Sequence, residues 1–197
     1  MARVSDREAL GFVAATREAF AAISGAHGLT EMGSDIYSVA YHGRPGWLTV
    51  IHDRLSYELD IALAPSAAAD AHRPYGMVDI VRAVDPAAAE QYRCFAATTP
   101  SGIRTGLDRL AQNLRTYGEP GLAGDPRFLE QVELSRQRAI DKFAKDRGHA
   151  RDAAAAADAV RRGDWKAIVA LYEPIEEQLD RVEAKRLELA RKRLAGT

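Results

Sequence analysis

The sequence predicts an α+β fold that is mostly helical. A three-stranded antiparallel β-meander over about residues 36–63 is covered on one face by helices and followed by a helical C-terminal half. Three observations predict it. Apolar residues alternate with period two only between Ile36 and Leu63, the pattern of half-buried strands. Elsewhere they recur at three- and four-residue spacing, most regularly at Ile103, Leu107, Leu110, Leu114 and Tyr117. Three helix starts place a polar N-cap before proline, at Asp85-Pro86, Thr99-Pro100 and Asp125-Pro126. There the side-chain oxygen takes a free backbone N–H and the fixed proline φ suits the first turn.

Taken in order, Ser5 and Glu8 form a capping box ahead of a helix with Leu10, Phe12, Val13, Arg17, Phe20 and Ile23, which Gly25 and Gly28 end. The meander follows. Turns at Gly43–Gly46 and Asp53-Arg54 pair Tyr41 with Leu48, Val39 with Val50 and Tyr37 with His52. The second turn is read as two residues, or as four over 53–56. Either length keeps Leu48, Val50 and His52 on one face with Leu55, Tyr57, Leu59, Ile61 and Leu63; a three-residue loop would bury Glu58 and Asp60, which desolvation forbids. The face bearing the oily side chains is therefore the expected core. Residues 64–74 read as an exposed loop, and Tyr75–Val84 as a short helix with Met77, Ile80, Val81 and Val84 on one side.

The helix from Pro100 stops at Gly118, and Gly118–Gly124 reads as a hinge-like connection. Residues 126–146 form the next helix, burying Phe128, Leu129, Val132, Ile140 and Phe143, before Arg147-Gly148-His149 breaks the chain. An alanine-rich helix, a helix Trp165–Glu173 capped by Asp164, and a last helix after Pro174 complete the order. The expected organisation is an α+β domain over 1–124 and a helical extension over 125–197, packed on it as one unit.

Composition excludes several classes. Apolar residues make up 47% of the chain and charged residues 28%, ordinary globular usage that supports a continuous core. Formal net charge is −1, and residues 126–197 carry sixteen basic against thirteen acidic side chains, far short of a nucleic-acid footprint. Basic positions from Arg136 to Arg151 are interrupted by Asp141 and Asp146, the pattern of a solvated, ion-paired helix. Cys94 is the one cysteine; it reads as a small hydrophobe in a helical stretch, and no internal disulfide is possible. No run of eighteen apolar residues suggests a membrane span, and the charged N-terminus does not resemble a signal peptide. A cytoplasmic location is expected. Heavy alanine and arginine usage is that of a high-GC bacterial genome, an association and not physics.

Candidate functional residues lie on the sheet face away from the core. Trp47 and Ile51, with Glu58 and Asp60 beside them, offer an aromatic and aliphatic anchor on an acidic face, the combination that seats a protein partner. In the two-residue register Trp47 pairs with Asp60 and Thr49 with Glu58. His42, Glu58 and Asp60 then stand within mutual reach, an imidazole and two carboxylates able to hold a metal or act as acid and base. His52 reads as a satisfied core histidine; His27, His72 and His149 fall in expected loops without ligand spacing. No phosphate loop, nucleophile elbow, H-E-x-x-H or paired C-x-x-C occurs, and no cofactor is expected.

Two resemblances add to this reading. Gly163 to Tyr172 resembles the second half of a tetratricopeptide hairpin, with Trp165 and Tyr172 at the family's seven-residue spacing and Ile168 where it has a small residue. The strand, Asp53-Arg54 turn and Ser56-Tyr57-Glu58-Leu59-Asp60 strand resemble uncharacterised bacterial proteins and small toxin-immunity proteins. That resemblance implies a non-catalytic interaction protein of the bacterial cytoplasm with a protein partner. The alternative is a metal-binding protein or enzyme using His42, Glu58 and Asp60.

Overall fold

The computed structural model describes residues 7–44, 46–65 and 73–196. The chain divides into two compact units, 1–137 and 138–197, and the division falls inside one long helix.

The first unit is α+β. Helix α1 (Phe12–His27) starts after Gly11, whose φ of 67° is left-handed, and closes at Gly28, where φ is 60°. The capping box at Ser5 lies outside the described residues. The buried side of α1 is Phe12, Ala15, Thr16, Phe20 and Ile23. Arg17 is not on it: its guanidinium forms a two-pronged ion pair with Glu31 at 2.7 and 2.8 Å. A sheet of five strands follows, wholly antiparallel and in sequence order: β1 (Thr30–Ser34), β2 (Ser38–Gly43), β3 (Gly46–His52), β4 (Glu58–Pro65) and β5 (Phe95–Ala96). The expected three strands are its centre. Both edge strands are additions, and neither shows alternation: β1 is exposed, glycine-containing and bulged at Met32, and β5 is two residues long.

Parity within the paired strands is as expected, but Leu55 and Tyr57, expected on the core face, lie in the turn ahead of β4, where Leu55 is exposed. Val39, Tyr41, Leu48, Val50, His52, Leu59, Ile61 and Leu63 are buried on one face, and Tyr41 pairs with Leu48 and Val39 with Val50. The second turn differs. His52 pairs with Leu59 and Ile51 with Asp60, so the turn spans residues 53–58, not two or four residues. The Asp53 carboxylate sets its length by accepting from the N–H groups of Leu55 and Ser56 at 2.8 and 2.6 Å. Because the shift relative to the two-residue turn is even, the side chains that remain in β4 keep their faces while all their partners change.

Helices α2 (Met77–Val84), α3 (Pro86–Gln91) and α4 (Pro100–Tyr117) complete this unit with a short helix α5 (Glu119–Leu122). Asp85 and Thr99 cap as expected, accepting from the N–H groups of Ala88 and Gly102. Helix α4 buries Ile103, Leu107, Leu110 and Leu114 against the sheet, and a Cβ at Gly106 would stand 2.5 Å from Leu59 Cδ1. Only glycine permits so close a helix–sheet approach. Several expectations fail here. Val84 is exposed; the hinge-like connection is helical and buries Leu122; Cys94 follows helix α3 in extended chain instead of sitting within it. Of the residues 64–74 read as a loop, 66–72, and with them His72, lie outside the described residues.

Helix α6 (Pro126–Arg162) continues through Arg147-Gly148-His149 without a break. Glycine costs a helix interior only about 1 kcal/mol, and strong helix formers flank this one. Phe128 and Val132 are buried, but Ile140 and Phe143 are more than half exposed, because the first core ends at Val132 along this helix and the second begins at Ala156.

The second unit packs the end of α6 with α7 (Trp165–Tyr172) and α8 (Arg181–Ala195) around Ala156, Ala159, Ile168, Tyr172, Leu187 and Ala190. A 3₁₀ stretch, Glu173–Gln178, follows α7. His149 is helical and not in a loop; its Nε2 lies 3.0 Å from Glu183. Glu183 is buried, and its carboxylate also accepts from the Asp180 N–H in a capping box at the start of α8.

Candidate functional site on the outer sheet face

The register of strands β1–β4 arranges the outward side chains in rows across the sheet. His42, Trp47 and Ala64 form one row, Ala40, Thr49 and Ala62 the next, and Ser38, Ile51 and Asp60 the third. Gly33 extends the middle row onto β1. All nine of these β2–β4 side chains are half-buried. The middle row is small throughout, so the face carries a shallow furrow. One wall is made by the Trp47 and His42 rings, 4.7 Å apart between centroids and tilted by 54°. Ile51 forms the other.

The furrow follows from strand chemistry. Period two sends Ala40, Thr49 and Ala62 outward while their neighbours fill the core. Directly opposed side chains on neighbouring strands stand within contact distance, which is why the Trp47–His42 pair forms. A Trp–His wall beside a floor of alanine, threonine and glycine offers apolar contact area at little cost in side-chain entropy.

The expected carboxylates behave differently. Trp47 pairs with Ala64 and Thr49 with Ala62, so Asp60 and Glu58 are not beside them. Glu58 is exposed at the start of β4 and takes a hydrogen bond from the Ser56 hydroxyl at 3.1 Å. Asp60 is tucked under the start of α2: its Oδ1 accepts from the N–H groups of Met77 at 3.0 Å and Ile61 at 2.8 Å. On the edge of β4 away from β3, no strand among the described residues lies between β5 and the bridge from Leu63 to Tyr75, and the carboxylate satisfies backbone donors that a neighbouring strand would otherwise meet. Burial pushes the Asp60 carboxyl above its usual range, aided by Asp79 and Glu58, while its two N–H donors oppose the rise. Burial and the charge on Asp60 push the Tyr92 phenol and the Cys94 thiol upward in turn, so neither is primed as a nucleophile.

His42, Glu58 and Asp60 are therefore not a cluster. His42 lies in the row of Ala64, and Asp60 is four residues further along that strand, about 13 Å at strand rise. Among the described residues no group of three His, Cys, Asp or Glu side chains could hold a metal ion.

Two further features were not legible in the sequence. A groove of about 300 Å³ is lined by Arg7, Phe12, Val13, Arg17 and Ile36 beside α1. In the second unit a depression of about 450 Å³ is lined by the consecutive residues Glu173–Gln178, which bring no distant side chains together. No helix among the described residues is long and apolar enough to cross a membrane. Compared with protein families, with characterised proteins and with solved structures, the chain gives no match.

Proposed function

We propose that this protein is a non-catalytic protein-interaction protein that receives its partner on the outer sheet face. One observation carries the reading: a half-exposed furrow of Ala40, Thr49 and Ala62 lies between the Trp47–His42 pair and Ile51. Tryptophan at the wall of an apolar depression is the kind of residue that dominates interface energetics. The Asp60 carboxylate supports the end of this face and does not contact the partner; Glu58 supplies rim charge. A bacterial cytoplasmic role of the immunity type, holding a toxin inactive, is the specific form that the resemblance over 36–63 implies.

Replacing Thr49 by arginine tests the proposal. The residue is half-exposed at the floor of the furrow, so a long side chain fills the groove without entering the core. A photocrosslinker at Ala62, used in the host cell, identifies the protein seated on this face, and the purified pair then gives an affinity. Thr49→Arg and Trp47→Ala should each weaken that affinity at least tenfold, with Thr49→Ser unchanged and all variants melting within a few degrees of wild type. Equal affinity of wild type and both disruptive variants removes the furrow as the docking site.

A further inference from the structure

The turn ahead of α1 holds a cation inside the protein. Arg7 is 4% exposed, and among the described residues its hydrogen-bond partners are two carbonyls and an imidazole. Nη1 donates to the Asp53 carbonyl at 3.0 Å and faces His52 Nδ1 at 3.4 Å, and Nη2 donates to the Arg54 carbonyl at 2.6 Å. The guanidinium also lies 3.8 Å from the centroid of the Tyr57 ring and 5.2 Å from that of Tyr37. One residue thus clamps the turn between β3 and β4 to the stretch 7–11 ahead of α1.

His52 sits beneath that clamp, 1% exposed, with both ring nitrogens engaged. Its Nε2 is 3.0 Å from the Ala97 carbonyl, which can only accept, so Nε2 carries the hydrogen. Nδ1 is then a bare lone pair, the only form that can receive the Arg7 N–H. A proton on Nδ1 would turn this acceptor into a donor aimed at a donor and set two buried cations side by side.

Among the described residues no carboxylate is hydrogen-bonded to either group. Phe12 from α1 and Tyr57 from the turn flank the ring at 5.5 and 5.7 Å. Arg54 lies over Tyr37. Asp53 attracts a proton towards the ring, but its carboxylate is already held by Leu55 and Ser56. Burial acts first and Arg7 adds to it, so the imidazole is held below its ordinary range despite Asp53, the Ala97 carbonyl and the Tyr57 backbone. The clamped turn is also strained: Tyr57 has a φ of 59°, a conformation that non-glycine residues avoid. Its carbonyl is held by the Ala97 N–H at 2.9 Å.

We propose that His52 and Arg7 form an acid-sensitive latch, in which a proton on His52 ejects Arg7 and releases the Asp53–Tyr57 turn from the stretch 7–11 ahead of α1. The strained Tyr57 then has no cation over its ring to hold it. Opening is confined to this corner of the first unit and leaves the second unit closed.

Amide hydrogen exchange on the full chain between pH 7.5 and 5, corrected for intrinsic rates, tests the latch. Opening at Leu55, Ser56 and Ala97 should increase up to tenfold per pH unit below about 6.5, the ordinary histidine value, while Ile168 stays protected. His52→Gln, which keeps an acceptor and removes the titration, should abolish the pH dependence. Arg7→Met should leave the turn open at every pH. Protection at these amides that does not change with pH overturns the proposal, as does an acid-dependent loss retained by His52→Gln. Should His52→Gln fail to fold, the ring nitrogen signals of wild type decide: a hydrogen on Nε2 that titrates together with turn opening supports the latch, and a hydrogen on Nδ1 at neutral pH overturns it.

Discussion

Replacing Asp60 separates two roles that a carboxylate can play under a helix. Its Oδ1 accepts two backbone N–H groups, from Met77 and Ile61, while burial raises the cost of its charge. Asparagine keeps the acceptor and removes the charge; alanine removes both. Losing the acceptor leaves two donors of buried residues unmet, the Met77 N–H at the first turn of α2 among them, which costs about 1–3 kcal/mol. Asp60→Ala should therefore lose that amount in urea unfolding with an unchanged slope, and Asp60→Asn should stay within about 0.5 kcal/mol at neutral pH. The pH dependence gives the sign. A carboxyl raised in the folded state binds its proton more tightly there than in the unfolded chain. Its stabilising contribution is fully present below the unfolded value of about 3.9 and is lost as pH rises through the higher folded value. Asp60→Asn should thus gain on wild type as pH rises from 4 to 7. A wild type that gains on the asparagine variant over that range, or an alanine variant as stable as the asparagine one, refutes this account.

Further outcomes follow from burial. In the second unit Tyr172 is wholly buried and its hydroxyl has no hydrogen-bond partner among the described residues, so Tyr172→Phe should be neutral or stabilising by up to about 1 kcal/mol. Ile168→Ala beside it should cost about 2–5 kcal/mol in thermal or urea unfolding. Ile140→Gln and Phe143→Gln, at exposed positions of α6, should each move stability by no more than about 0.5 kcal/mol, whereas Val132→Ala on the same helix should be clearly destabilising in the same measurement.

The meander shows what periodicity can and cannot say. Alternation over Ile36–Leu63 determined which face each side chain of the paired strands takes, since a period of two has only two answers, though it also counted Leu55 and Tyr57, which belong to the turn. It was silent on how far β4 slides along β3. That depended on the Asp53 carboxylate gathering the N–H groups of Leu55 and Ser56 and on Tyr57 adopting a left-handed backbone, neither of which alternation reports. The edge strands were illegible for a related reason. β1 is exposed and bulged and β5 spans two residues, so each exists because β2 or β4 offers it hydrogen bonds. Along α6 the helical period at Ile140 and Phe143 was real, yet an apolar face is buried only where another element lies opposite it.

The furrow and the latch illustrate the same division. Trp47 and Ile51 were visible as outward apolar residues, but the furrow between them depends on Ala40, Thr49 and Ala62 falling into register on three strands. Small residues carry no signal until register aligns them. The latch is more distant still, joining Arg7 to His52 and to carbonyls at 53 and 54. Seen singly, Arg7 was a charge near a terminus and His52 an ordinary core histidine. Only the direction of two ring nitrogens, one facing a carbonyl and the other a guanidinium, makes the pair sensitive to a proton, and that direction is a property of the turn that brings them together.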